Sequence, residues 1–258
     1  MPVSYQLYAV RKFPSKKNFK TQMQLTLNFG GEHSRETSST QVDMQLAAVR
    51  GYKHYNAKHD FLFRLDHAGR AMGVSFREFI APYEFSVYRG SHDDALGFVP
   101  LFVRTKKKVA SDFVERLNGS AHGFNAASVS LDFAKLREKI EVIRGAWFGV
   151  QQRPNITTAS VFGHHVDQSD EFKHAEGIGR LTSLQVDVPL TDGSHTIMFN
   201  SECGIVLYNS YRDESAELDV LRGVIDNLLR YCVAPPRTGE NAPPPSRQPR
   251  RPGRVPGL

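Results

Sequence analysis

The sequence predicts an α+β protein with a β-rich first part, a second part that combines an antiparallel sheet with flanking helices, and a disordered tail. Three observations support this prediction. Several segments within residues 1–104 alternate apolar and polar side chains, which is the period of a half-buried strand. Later segments repeat apolar residues at helical spacing and bracket further strands. The last 25 residues hold eight of the 14 prolines.

The first predicted domain, residues 1–126, is an antiparallel sheet or partial barrel with hairpin connections. The strands predicted in it are residues 4–10, 22–29, 61–65, 83–88 and 98–103. The polar residues 31–40 follow a Gly-Gly pair and are expected to form a loop. A helix is expected to begin near Lys106 and to end at Gly119, because apolar residues recur on one face between them.

The second predicted domain, residues 127–233, opens with a helix that Asp132 caps and that Gly145 ends. The strands predicted after it are residues 146–150, 156–162, 184–190, 195–199 and 205–208. Ser169 is expected to cap a short helix with an acidic first turn. A long amphipathic helix ends at Cys232. Two helices on one face of an antiparallel sheet predict a two-layer α+β sandwich.

Residues 234–258 distort the charge of the whole chain. They contain five arginines and one glutamate, a net +4 out of the total of +6. The first 20 residues add +5, so residues 21–233 sum to −3. Two basic ends on a slightly acidic body supply at most weak, salt-sensitive attraction to phosphates, and charge runs are usually solvated. Because the tail is rich in proline and poor in apolar residues, we expect it to be disordered.

Composition also indicates where in the cell the protein is expected. No apolar run approaches the roughly 18 residues that span a bilayer, and the N-terminus lacks the apolar core of a signal peptide. The two cysteines, Cys203 and Cys232, are too few for a disulfide framework. These observations predict a cytoplasmic protein without membrane contact. No cofactor is predicted, and the oligomeric state is left open.

A basic cluster marks the transition from a predicted strand to a predicted helix. Lys106, Lys107 and Lys108 stand at this helix start, with Arg104 just before them. Because the N-terminus of a helix attracts anions, these residues are candidates for phosphate or nucleic-acid binding. Arginines of the tail are further candidates: Arg247, Arg250, Arg251 and Arg254. The alternative is that all of these cations are solvated surface residues.

A second cluster contains side chains that bind metals. The weak candidates for a metal site are His164, His165, Asp167 and His174. Glu171, Phe172 and Lys173 also match the E-x-K triplet of metal-dependent nucleases. Adjacent histidines diverge on a strand or a helix, however, and no HExxH spacing is present. The alternative is a polar loop that leads into a capped helix.

Other patterns favour structural roles over chemistry. The chain has no G-x-S-x-G elbow and no P-loop. Cys203 beside Glu202 is expected to be a passive cysteine, and Trp147 a core anchor. Residues 52–59 interleave aromatic side chains with lysines, which suits either contact with a single nucleic-acid strand or a surface loop or edge strand.

These patterns predict a binding or adaptor protein without a catalytic motif. Its contacts would be a protein partner, or nucleic acid through the basic segments. The alternative is a metal-dependent hydrolase or nuclease that uses residues 164–174. The sequence leaves open whether the protein is an enzyme.

Overall fold

Twelve strands form one sheet in the computed structural model, which describes residues 2–29, 32–71, 74–150 and 156–234. Every strand pair is antiparallel, as predicted for a sheet built from hairpins. The strands of this sheet are β1 (Val3–Lys12), β2 (Asn18–Phe29), β3 (Glu32–Met44), β4 (Lys53–Ala71), β5 (Val74–Arg89), β6 (Val99–Val103), β7 (Asn125–Ser128), β9 (Val142–Val150), β10 (Thr158–Phe162), β11 (Gly179–Leu190), β12 (Gly193–Asn200) and β13 (Gly204–Leu207). A separate two-stranded sheet pairs β8 (Ser130–Leu131) with β14 (Val233–Ala234).

The described residues contain more strand than helix. The helices are α1 (Lys107–Asn118), α2 (Phe133–Lys139), α3 (Asp170–Ile178), α4 (Glu214–Val224) and α5 (Arg230–Cys232). A π-helical turn, Ile225–Leu229, joins α4 to α5. Both predicted caps are confirmed: Asp132 accepts hydrogen bonds at the start of α2, and Ser169 accepts one from Phe172 N at the start of α3. No helix in these ranges is long and apolar enough to cross a membrane.

Strand β1 lies in the middle of the sheet, with β6 on one side and β13 and β7 on the other. Its successive side chains point to opposite faces, so it contributes to two cores. Tyr5 and Leu7 belong to the larger core, which also contains buried residues of α2, α3 and α4. Tyr8 and Val10 belong to a smaller core beneath α1. Helices therefore cover both faces of the sheet at its centre.

The division into two domains at residue 126 is not confirmed. Strand β7 spans that position and pairs with β1. The larger core combines Tyr88 and Phe102 of the first predicted domain with Leu184 and Phe199 of the second. The sheet and the larger core thus contain residues from both predicted domains. The two-domain layout stays a prediction. The tail, residues 235–258, lies outside the described residues.

The prediction of a loop at residues 31–40 is wrong from residue 32 onward, because β3 begins there. The buried side chains in residues 32–40 belong to Ser38 and Thr40, which are small and polar, so this part of the strand shows no apolar alternation. Thr40 Oγ1 lies 2.8 Å from Nδ1 of His59, and Ser38 donates to the carbonyl oxygen of Asp60 at 3.1 Å. These partners satisfy the buried hydroxyls within the sheet.

The helix predicted between Asp132 and Gly145 is too long. Helix α2 ends at Lys139, and β9 begins at Val142. Gly145 lies inside β9, where the Phe162 ring covers it so closely that a Cβ would lie 2.9 Å from that ring. The glycine therefore serves a close contact in a strand and does not end the helix.

Candidate functional site

Arg104, a predicted phosphate contact, is bound within the protein. Its Nε and Nη2 donate to the two carboxylate oxygens of Glu217 at 2.8 and 2.9 Å, and Nη1 lies 3.4 Å from Glu214. Hydrogen bonding to Glu217 raises the pKa of Arg104 above its usual value. The Tyr5 hydroxyl also donates to Glu217, and burial together with this carboxylate raises the Tyr5 pKa. Two acids thus neutralise this guanidinium.

The three lysines next to Arg104 are exposed at the start of α1. Nζ of Lys107 forms an ion pair with Glu202 at 2.9 Å. Lys106 is the N-cap residue and provides no side-chain cap. Neither Lys106 nor Lys108 has an ion pair within the described ranges. The four tail arginines of this prediction, Arg247, Arg250, Arg251 and Arg254, lie outside the described residues.

The metal candidates do not meet at one point. Across the described part of the chain, no three His, Cys, Asp or Glu side chains are placed to hold a metal ion. His164 and His165 contact each other edge to face at 4.3 Å between ring centroids in the loop after β10, and Asp167 follows in a 3₁₀ turn. His174 lies on α3. The E-x-K triplet also lies on α3 and not on a core strand, unlike that of the nucleases.

The aromatic residues between positions 52 and 59 are not available for stacking on a ligand. Tyr52, Tyr55 and His59 are buried. Nε2 of His59 lies 2.9 Å from Asp112 Oδ2, an ion-pair distance without the alignment of a hydrogen bond. His54 is half-buried and stacks on Tyr88, and burial lowers its pKa. These rings therefore pack inside the protein.

Cys203 is a buried turn residue, as expected, with a φ of 59°. Burial raises the pKa of its thiol to about 12, and that of Cys232 to about 11. Neither thiol therefore has the character of a nucleophile at neutral pH. The prediction that Trp147 anchors the core is not confirmed. Trp147 is half-buried outside both cores, and the neighbouring Phe148 fills the core.

A groove between β10 and α3 is the candidate functional site. Among the described residues, β10 is the last strand of the sheet and pairs with β9 along one edge only. Helix α3 packs beside it and leaves a cavity of about 430 Å³. The residues that line this cavity are Ala159, Ser160, Val161, Asp170, Glu171, His174, Ala175 and Ile178. We refer to this feature as the β10–α3 groove.

The outer edge of β10 presents backbone groups without strand partners in the described residues. Val150 N donates to Thr157 O, and Gly163 N donates to Arg144 O, each at 3.0 Å. These bonds show that the odd-numbered residues of this segment bond to β9. In an antiparallel ladder the intervening residues point the other way, so Ser160 directs its N–H and C=O to the open edge.

The two faces at this edge differ. Ala159 and Val161 lie opposite Phe148 and Ala146 of β9, which are core residues, and so face α3. Ser160 and Phe162 face away from α3. The exposed Phe162 ring contacts Trp147 edge to face, with 5.0 Å between centroids. A strand added here would place alternate side chains in the groove and against this aromatic pair.

Sequence reasoning located the parts of this site and missed the site itself. It predicted the strand at 156–162 and the helix capped by Ser169, but considered the nearby histidines and acids only as weak candidates for a metal site or as a polar loop. The stripe formed by Glu171, His174, Ala175 and Ile178 at spacings i, i+3, i+4 and i+7 was the available signal. Whether β10 has a second neighbour depends on pairings far apart in the chain, which local patterns do not give.

No protein-family model matches this chain, and no curated protein sequence matches it. The function of this protein is therefore inferred from the geometry and chemistry of its candidate site.

Proposed function

We propose that this protein is a non-catalytic binding protein that holds an extended segment of a protein partner in the β10–α3 groove. The observation that supports this proposal is the open edge of β10 beside α3. An extended peptide can add to such an edge through main-chain hydrogen bonds, while pockets for alternate side chains provide specificity. Unpaired edges are usually protected, so an open edge next to a groove suits a partner that completes the sheet.

The distribution of charge favours a protein partner over nucleic acid. Arg104 is held by two glutamates and Lys107 by Glu202, so only part of the predicted basic cluster is available. Lys106 and Lys108 remain as exposed cations that could contact a phosphate. Nucleic-acid binding is therefore retained as the second partner class, with these lysines as its contacts within the described residues.

The hydrolase alternative has less support than the binding function. Its metal would need several ligands that converge, and the described residues offer no such set. The two thiols are buried and protonated at neutral pH. The described residues therefore offer the hydrolase alternative neither a metal centre nor a reactive thiol.

A proline at position 160 tests the proposal. The Ser160 N–H points to the open edge, so Ser160→Pro removes an edge donor while the hydrogen bonds to β9 stay intact. Ser160→Ala is the matched control, because it keeps the N–H. The full chain is screened against a display library of random peptides, and selected peptides are titrated while Trp147 fluorescence is recorded. Trp147 is the single tryptophan and is the β9 partner of Ser160.

We expect selected peptides to change the fluorescence of wild type and Ser160→Ala alike. Ser160→Pro should weaken binding by about tenfold or more, since main-chain hydrogen bonds contribute about 1 kcal/mol each and the ring obstructs the edge. Circular dichroism should show that both variants are folded. Peptides that bind Ser160→Pro as well as wild type, or a library without binders, would contradict the proposal. Salt-sensitive oligonucleotide binding that is lost on substituting Lys106 and Lys108 would favour the second partner class.

A further inference from the structure

We infer that the β10–α3 groove selects an extended peptide with a lysine or arginine at the position that faces α3. This inference rests on the proposed function, because it names the side chain that the same groove would receive. It follows from the register of the open edge, the charge of α3 and the apolar lining of the cavity.

The register at the open edge fixes which peptide positions enter the groove. A peptide residue that pairs with Ser160 places its side chain on the face of Ser160, away from α3. Its two neighbours along the peptide lie opposite Ala159 and Val161, and their side chains point towards α3. Every second residue of the bound segment therefore meets the cavity.

The carboxylates in the lining of this cavity come from α3, which also contributes His174. Glu171 lies in the first turn of α3 and lines the cavity, and no ion pair is recorded for it within the described ranges. Asp170 also lines it, but Lys173 lies 3.4 Å from its Oδ1 and balances part of its charge. Strand β10 contributes no charged residue to the lining. A cationic side chain from the peptide would meet Glu171 without a competing cation from β10.

The rest of the cavity suits the stem of a long basic side chain. Ala159 and Val161 line it from β10, and Ala175 and Ile178 from α3. Lysine and arginine bury their methylene groups against apolar surface while the charged head remains at the rim. A cavity that is apolar inside and acidic at its rim therefore fits a basic side chain better than an aliphatic or acidic one.

Reversal of the Glu171 charge tests this inference. The probe is a peptide that was selected on the wild-type chain and that no longer binds the Ser160→Pro variant. We expect such peptides to share a lysine or arginine at one position. Glu171→Lys should weaken their binding by about five- to tenfold, since attraction at a partly exposed pair becomes repulsion. Glu115→Lys, the same change on α1, should leave binding unchanged. A peptide with glutamate at the basic position should recover affinity for the Glu171→Lys protein.

The outcomes separate this inference from the function on which it rests. Peptides that depend on Ser160 but share no basic position, or that bind Glu171→Lys as tightly as wild type, would overturn the inference and leave strand addition intact. Peptides that bind independently of Ser160 would overturn both. If Glu171→Lys and Glu115→Lys lowered the affinity for the peptide equally, the effect would come from the net charge of the protein. That result would also overturn the inference.

Discussion

Glu217 shows at the residue scale how a buried charge ties together distant parts of the chain. Its side chain on α4 is nearly inaccessible, and it accepts two hydrogen bonds from Arg104 and one from Tyr5. A buried carboxylate is tolerated when it is paired and hydrogen-bonded in this way. Next to it, Glu214 accepts hydrogen bonds from Ser86 and Tyr88. Arg104 is therefore a structural residue, although its sequence context suggested an anion site.

Removal of this cation should destabilise the fold. Arg104→Ala leaves the Glu217 carboxylate buried without its charge partner, so we expect the free energy of unfolding to fall by about 3 kcal/mol. Lys106→Ala is the matched control, because this nearby cation is exposed and has no ion pair within the described ranges. Urea denaturation of both variants measures the effect. Equal stabilities for the two would mean that the Arg104–Glu217 contact contributes nothing.

Helix α3 and strand β10 show at the element scale how local signals position a site. Ser169 accepts a hydrogen bond from Phe172 N at 3.1 Å and so fixes where α3 begins. Phe172 then packs on Phe148 of β9, with 5.2 Å between ring centroids. The cap and this aromatic contact together place Glu171 over the groove beside β10.

Loss of the cap should weaken α3 and with it the groove. Ser169→Ala removes the side-chain acceptor, and we expect it to lower the free energy of unfolding by about 1 kcal/mol. Ser169→Asp keeps an acceptor at the same position and should retain most of the stability. Hydrogen exchange of the α3 amides measures whether the loss is local. Unchanged exchange in Ser169→Ala would show that tertiary packing alone fixes the start of the helix.

Contacts at the scale of the whole molecule join the two predicted domains. Strand β1 lies between β13 and β6, so the first residues of the chain join strands from both sides of the predicted boundary into one sheet. Helix α4 is bound to the first part of the chain through Arg104 and through Arg50, whose Nη2 lies 2.8 Å from Asp219. These contacts cross the predicted boundary at residue 126 and bury side chains from both sides of it.

A fragment of residues 127–233 should not fold by itself. It lacks Tyr5, Leu7 and Phe102, which fill the larger core beside β13 and α4, and the exposed apolar surface would leave it without cooperative structure. Thermal unfolding followed by circular dichroism measures this, with residues 2–234 as the folded control. A fragment that melts in one sharp transition would instead support the predicted second domain.

Local sequence patterns determined the identity of most elements. Period-2 alternation located β11 and β12, helical spacing located α1 and α4, and side-chain acceptors at Asp132 and Ser169 marked helix starts, because neighbouring residues alone specify these features. The same patterns failed at β3, whose buried Ser38 and Thr40 are polar and find their partners on β4.

The tertiary structure decided what depends on residues far apart in the chain. It placed β1 at the centre of one sheet and paired Arg104 with Glu217, and within the described ranges it left β10 with an open edge beside α3. The physical reason is that strand pairing and buried ion pairs are long-range interactions, whereas periodicity and capping act within a few residues. The sequence by itself therefore determined the elements of the β10–α3 groove, and only the fold brought an open edge, an apolar cavity and Glu171 together.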